Sequence, residues 1–149
     1  MALRTLLGLA LALLWAAPAA ADSSTPPIEV WKSATCECCV NWVKHLEANG
    51  FEVKVNGANS GTLAALKRQA GIPDKLASCH TAKIDGYVIE GHVPGSDIKR
   101  LVAERPEAVG LAVPGMPIGS PGMEQGAVTE PYDVLLVKKD GTTEVFAKH

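Results

Sequence analysis

Three of the four cysteines in this 149-residue chain stand within four positions, Cys36-Glu37-Cys38-Cys39, and the fourth, Cys79, is followed at once by His80. Cys36 and Cys39 have the C-x-x-C spacing, between a strand-like apolar run and a helix-like one. At a helix start, unpaired backbone N–H groups and the helix dipole favour negative charge, so both thiols are expected to ionise below the free value of about 8.5. That serves thiol–disulfide exchange or metal binding, and the motif alone does not choose between them. Cys38 shifts the balance: a dithiol oxidoreductase has no use for a third thiol that competes for every mixed disulfide.

Soft sulfur donors select monovalent copper, zinc or iron–sulfur clusters. Structural zinc sites are normally built from paired C-x-x-C knuckles, and only one such pair exists here. An iron–sulfur protein would be exported folded behind a twin-arginine signal, whereas the N-terminal segment has one arginine, Arg4. Copper gains from Met116 and Met123, thioether donors in Pro114-Gly115-Met116-Pro117 and Pro121-Gly122-Met123-Glu124. Methionines more often fill gaps in a core, but no helix or strand signal surrounds these two. His80 and His92 are further candidates, as ligands or as groups that orient ligands. His92, at a strand end, also reads as a satisfier of backbone. His45 reads as a surface residue, and Glu37 as a solvated charge. Nothing is assigned to His149.

These residues need a scaffold. Leu6 to Ala17 carry no polar side chain, and Ala19-Ala20-Ala21 offers a small-x-small cleavage site. Residues 1–21 therefore read as an export signal, too short to span a membrane comfortably. The compartment implied is the periplasm. Residues 22–27 form a polar, proline-containing leader, and 28–149 one domain with a modest core. The formal charge is −2, and basic residues never run beyond adjacent pairs. Nucleic acid and membrane insertion of the mature chain are excluded as partners on that ground. Four cysteines in an oxidising compartment also suggest two structural disulfides, although such bridges staple distant segments and three of these sit side by side.

Ile28 to Trp31 reads as a strand; Val40, Val43 and Leu46 mark one face of a helix closed by Gly50. Phe51, Val53 and Val55 alternate as a second strand. Thr62 reads as the N-cap of a short helix with Leu63 and Leu66, stopped by Gly71 and Pro73. Asp85-Gly86 joins Thr81–Ile84 to Tyr87–Ile89 as a hairpin. Ser96 reads as the cap of a helix with Ile98, Leu101 and Val102 inward, ended by Pro106. Gly110 to Gly126 lacks any period and reads as a long loop. Tyr132–Val137 and Thr142–Ala147 make a final hairpin.

The order β-α-β-α-β-β-α predicts an α/β, thioredoxin-like domain: a central mixed sheet with helices on its faces, extended by a Gly/Pro/Met loop and a C-terminal β-hairpin. Ile84-Asp85-Gly86 with its following strand and helix resembles the second half of a glutaredoxin. Aligned on those residues, Cys79-His80 falls where that fold keeps a cis-proline.

Thr35-Cys36-Glu37-Cys38-Cys39, Ser78-Cys79-His80-Thr81-Ala82, Glu90-Gly91-His92-Val93-Pro94 and the run Gly115 to Glu124 together resemble the CopG-type copper-resistance family, long catalogued as domain of unknown function 411. The resemblance covers about Ile28 to Lys148. It implies a periplasmic, thioredoxin-like protein whose Cys36, Cys38, Cys39 and Cys79 hold cuprous ions, as a copper–thiolate cluster of several ions. The methionine loop would lie over that cluster, and copper oxidoreductase activity is suggested. A periplasmic copper-transfer partner follows, because free copper is scarce in cells. The alternative reading is a thiol–disulfide oxidoreductase of the same fold.

Overall fold

The structure, a computed structural model, describes residues 25–149. The expected export signal and the first residues of the leader lie outside the described residues. The elements run β1 (Ile28–Lys32), α1 (Glu37–Ala48), β2 (Val53–Gly57), α2 (Ser60–Gln69), a 3-10 turn (Asp74–Leu76), β3 (His80–Ile84), β4 (Tyr87–Gly91), α3 (Gly95–Glu104), β5 (Gly110–Val113), β6 (Asp133–Val137) and β7 (Thr143–Lys148). The strands form one mixed sheet in the order β2-β1-β3-β4-β5-β6-β7. β1 runs parallel to β2 and antiparallel to β3, and β4 runs parallel to β5. The α/β architecture is thus as expected, with its first seven elements in the thioredoxin-like order.

Period-two alternation divides the sheet into two covered faces. Ile89, Leu111, Val113, Val134 and Leu136 pack with Trp42 and Leu46 of α1 and Ile98 and Leu101 of α3. Their neighbours Val88, Ala112 and Val137 pack on the other face with Ile72 and Leu76. A strand covered on both sides needs no polar alternation, and β4 and β5 are buried throughout.

β5 corrects the sequence reading, which ran the long loop from Gly110. Gly110-Leu111-Ala112-Val113 is a strand between β4 and β6. Its four-residue apolar run is too short to show a period, and its leading glycine reads as a loop residue. That glycine is there because a Cβ would stand 1.7 Å from the Val88 carbonyl oxygen. With β5 in place, the C-terminal hairpin extends the sheet: β6 pairs with β5, and β7 closes the edge. Arg100 ties that edge to α3, donating to the Phe146 carbonyl at 2.7 Å with its guanidinium 3.6 Å over the Phe146 ring.

Two caps also differ. Asn59, not Thr62, caps α2: its Oδ1 accepts the Thr62 N–H at 2.9 Å and the Thr62 hydroxyl at 3.1 Å. α3 begins at Gly95, one residue before Ser96, with no capping bond from its own side chains. His45 supplies it instead. Its Nε2 accepts the Gly95 N–H at 3.0 Å, so this half-buried residue holds α1 against α3 and is not a free surface group.

An acceptor imidazole must be neutral, and burial, opposed by Glu124, lowers the His45 pKa from 6.5. A depressed folded-state value means that the unfolded chain binds more protons, so this stability is present above pH 6.5 and is lost as pH falls through the folded value. Urea melts of metal-free protein at pH 7.5 and 5.5 are expected to show that loss. His45→Gln should reduce the pH slope and cost about 1 kcal/mol at neutral pH, the worth of one cap. An unchanged slope would remove His45 from the account.

Candidate metal centre

The cysteine cluster stands at the start of α1, at the sheet end where β1 finishes and β3 begins. Cys36 is the N-cap of α1: its backbone is extended and its Sγ accepts the Cys39 N–H at 3.3 Å. Cys36 and Cys39 are joined as a disulfide, while Cys38 and Cys79 are free. The two-disulfide framework is therefore not formed, and the single bridge closes one helical turn without stapling distant segments. In this oxidised form Cys36 and Cys39 have no thiol to titrate, so the lowered thiols expected at the helix start belong to the reduced state.

The fourth sulfur arrives from the other side of the sequence. Cys79 Sγ lies 3.5 Å from Cys39 Sγ, and Cys38 Sγ lies 3.4 Å from Cys36 Sγ. All four sulfurs fall within 4.8 Å of one another. Cys39 is fully buried and the other three are half-buried. Burial, with Cys38 next to it, pushes the Cys79 thiol up to about 11. Without metal, then, Cys79 carries its proton at neutral pH. No cis peptide bond occurs among the described residues, so the segment before β3 has lost the cis-proline conformation as well as the residue.

His80 and His92 join Cys79 in a second donor group, again within 4.8 Å. His92 Nδ1 lies 2.8 Å from the Pro121 carbonyl, which only accepts, so Nδ1 carries the proton and Nε2 presents its lone pair to Cys79 Sγ at 3.3 Å. A fixed tautomer with a free ring nitrogen is the way metal-binding histidines are commonly held. His80 Nδ1 lies 3.4 Å from Cys79 Sγ, and its Nε2 is buried without a hydrogen-bond partner. Desolvation first, then the charge of His92, lowers its pKa well below 6.5. Its ring stacks on Trp42 at 4.3 Å, and Trp42 donates Nε1–H to the Val93 carbonyl at 2.9 Å. Trp42 is thus the floor of the site, a role that its helical spacing among core residues did not suggest.

The loop between β5 and β6 reaches this end of the sheet. Pro121 holds His92, and Gly122 packs so closely on α1 that a Cβ would stand 2.7 Å from both the Cys38 carbonyl oxygen and the Trp42 nitrogen. Met123 is half-buried beside Gly122, whereas Met116 is 40% exposed. A surface cavity of about 620 Å³ lies around the Asp85-Gly86 turn, at the opposite end of β3 and β4, and includes none of these donors.

An α/β domain that gathers four sulfurs and two imidazoles at one end of its sheet belongs to the class of proteins with a soft-donor cluster fit for metal. Comparison with known proteins narrows the class. Residues 76–123 match the family model described as "Protein of unknown function, DUF411". Two solved structures, called "Copper resistance protein copG- Form 1" and "Form 2", are each 46% identical to this chain. Each likeness covers 84% of this chain and 98% of the other, with TM-scores of 0.78 and 0.77. Among curated proteins nothing matches. At that identity and coverage, the chain belongs to the CopG copper-resistance protein family.

Proposed function

We propose that this protein handles copper as cargo in the periplasm, holding cuprous ions on Cys36, Cys38, Cys39 and Cys79. The convergence of four sulfurs within 4.8 Å carries the reading. Cuprous copper prefers thiolate and thioether donors, and adjacent thiolates can bridge metals, so a cluster of several ions fits the donor set. His80, His92, Met116 and Met123 are second candidates: the imidazoles for Cys79's side of the cluster, the thioethers for its cover. The names of the related solved structures support copper, and the apolar N-terminal run with its cleavage pattern supports export. No described helix is long and apolar enough to cross a membrane. Delivery to a periplasmic transfer partner completes the proposal.

With Cys36 and Cys39 oxidised, only two of the four sulfurs are free. Loading therefore begins with reduction of that disulfide, two electrons and two protons giving two thiols. Anaerobic titration with cuprous ion is expected to show several ions bound to dithiol-reduced protein and clearly fewer to the oxidised form, with Cys38→Ser intermediate. Equal uptake by all three would end the cluster reading.

The same disulfide, at a helix start, supports the second reading, a thiol–disulfide oxidoreductase or, with copper bound, a copper oxidoreductase. The dithiol version requires turnover by metal-free protein that disappears in Cys36→Ser. Folded protein without turnover rejects it.

A further inference from the structure

Lys67 and Glu90 are charged, buried and unused by the copper reading. Lys67 Nζ lies 2.5 Å from Glu90 Oε1, with side chains 10% and 0% exposed. A buried pair offsets its desolvation only if the remaining lone pairs and protons are satisfied. Glu90 Oε1 also accepts the Ser78 N–H at 2.5 Å, and Oε2 accepts the Thr81 hydroxyl at 2.7 Å. Lys67 donates in turn to Thr81 Oγ1 at 2.8 Å and lies 3.4 Å from the His80 carbonyl oxygen. Every one of these outside partners belongs to residues 78–81, the segment that carries Cys79.

The next two residues grip the same segment. A Cβ on Gly91 would stand 2.8 Å from Ser78 Oγ and 2.9 Å from its Cβ, and His92 Nε2 stands 3.3 Å from Cys79 Sγ. Thr81 and Glu90 are register partners, alternating with Ala82 and Ile89 of the core that α1 covers. Their carboxylate network therefore lies on the face away from the cysteines and touches the segment only through its backbone and hydroxyl.

We infer that Glu90, with Lys67 as its counter-ion, is a positioning residue for Cys79: by holding the Ser78 N–H from the far face, it fixes the bend that delivers Cys79 Sγ to the sulfurs of α1. The inference rests on the reading of Cys79 as a copper ligand. Groups that orient ligands typically contribute about 10–100-fold to affinity.

A double-mutant cycle on reduced protein tests it, with cuprous affinity measured against a competing chelator and folding by circular dichroism. Glu90→Gln is expected to lower affinity about tenfold in the wild-type background and to change nothing further in Cys79→Ser. An ion pair that only stabilises the fold predicts equal effects in both backgrounds, and that result, or no effect in either, overturns the inference. If Glu90→Gln does not fold, Thr81→Val carries the same cycle: it keeps the ion pair and removes one bond to the carboxylate. A severalfold loss confined to the Cys79 background supports positioning, and wild-type affinity overturns it. If Cys79→Ser alone leaves affinity unchanged, the copper reading of Cys79 falls instead.

Discussion

Cys79→Ser is expected to lower the affinity of reduced protein for cuprous ion by at least about 100-fold, beyond the range seen when only a ligand's supporting group is lost. Three observations give the effect its size. Cys79 is the one sulfur that α1 does not supply, so without it the remaining donors lie along a single helical turn. It belongs to both donor groups, with the three cysteines and with the two histidines. A serine hydroxyl in its place is a hard donor of nearly the same size, so the packing is kept and the affinity for soft metal is not. Metal must also displace the proton that burial keeps on this thiol, with its pKa near 11. Wild-type affinity should therefore rise with pH, and the variant should release one proton fewer on loading. Competition with a cuprous chelator and calorimetry in two buffers of different ionisation heat measure both quantities. Wild-type affinity in a folded variant would take Cys79 out of the site and leave the α1 triad to account for binding alone.

The parts of this site legible in the sequence are those written in local spacing. The C-x-C-C run and the helix behind it followed from contiguous residues, as did the turn at Asp85-Gly86 that sets β3 beside β4. Placing Cys79 near the triad needed a topology, and the order of elements supplied it: β3 lies beside β1, so the residue before β3 meets the residues after β1. What stayed hidden depends on contacts across the fold. Lys67 and Glu90 read as ordinary solvated charges, because their spacing of 23 residues carries no signal until α2 and β4 are stacked. His45 looked like surface because its partner, the Gly95 N–H, belongs to another helix. Gly110 read as loop because a glycine demanded by a crowded strand cannot be told from one demanded by a turn. In each case the missing term is a backbone or charge partner more than a dozen residues away.

Gly122→Ala should separate the cover of the site from the site itself. Gly122 has φ +87°, and a non-glycine residue there costs about 1–2 kcal/mol of backbone strain. The added methyl would also stand 2.7 Å from the Cys38 carbonyl oxygen and the Trp42 nitrogen, both backbone atoms of α1. A helix anchored by the fully buried Trp42 does not yield, so the loop must. Its retreat pulls the Pro121 carbonyl away from His92 Nδ1, now 2.8 Å distant, and releases the tautomer that points Nε2 at Cys79. Gly115→Ala is the control: Gly115 has φ +81° in the same loop, but nothing lies within 4 Å of its Cβ position. Both variants carry comparable backbone strain, and only Gly122→Ala displaces the loop from α1. Its expected signature is a loss of cuprous affinity of about tenfold or more, with faster maleimide labelling of Cys38 in metal-free protein, while Gly115→Ala stays near wild type in both. If the two variants behave alike, the Gly/Pro/Met loop is a neighbour of the metal centre without being its cover, and Met123 loses its claim as a donor.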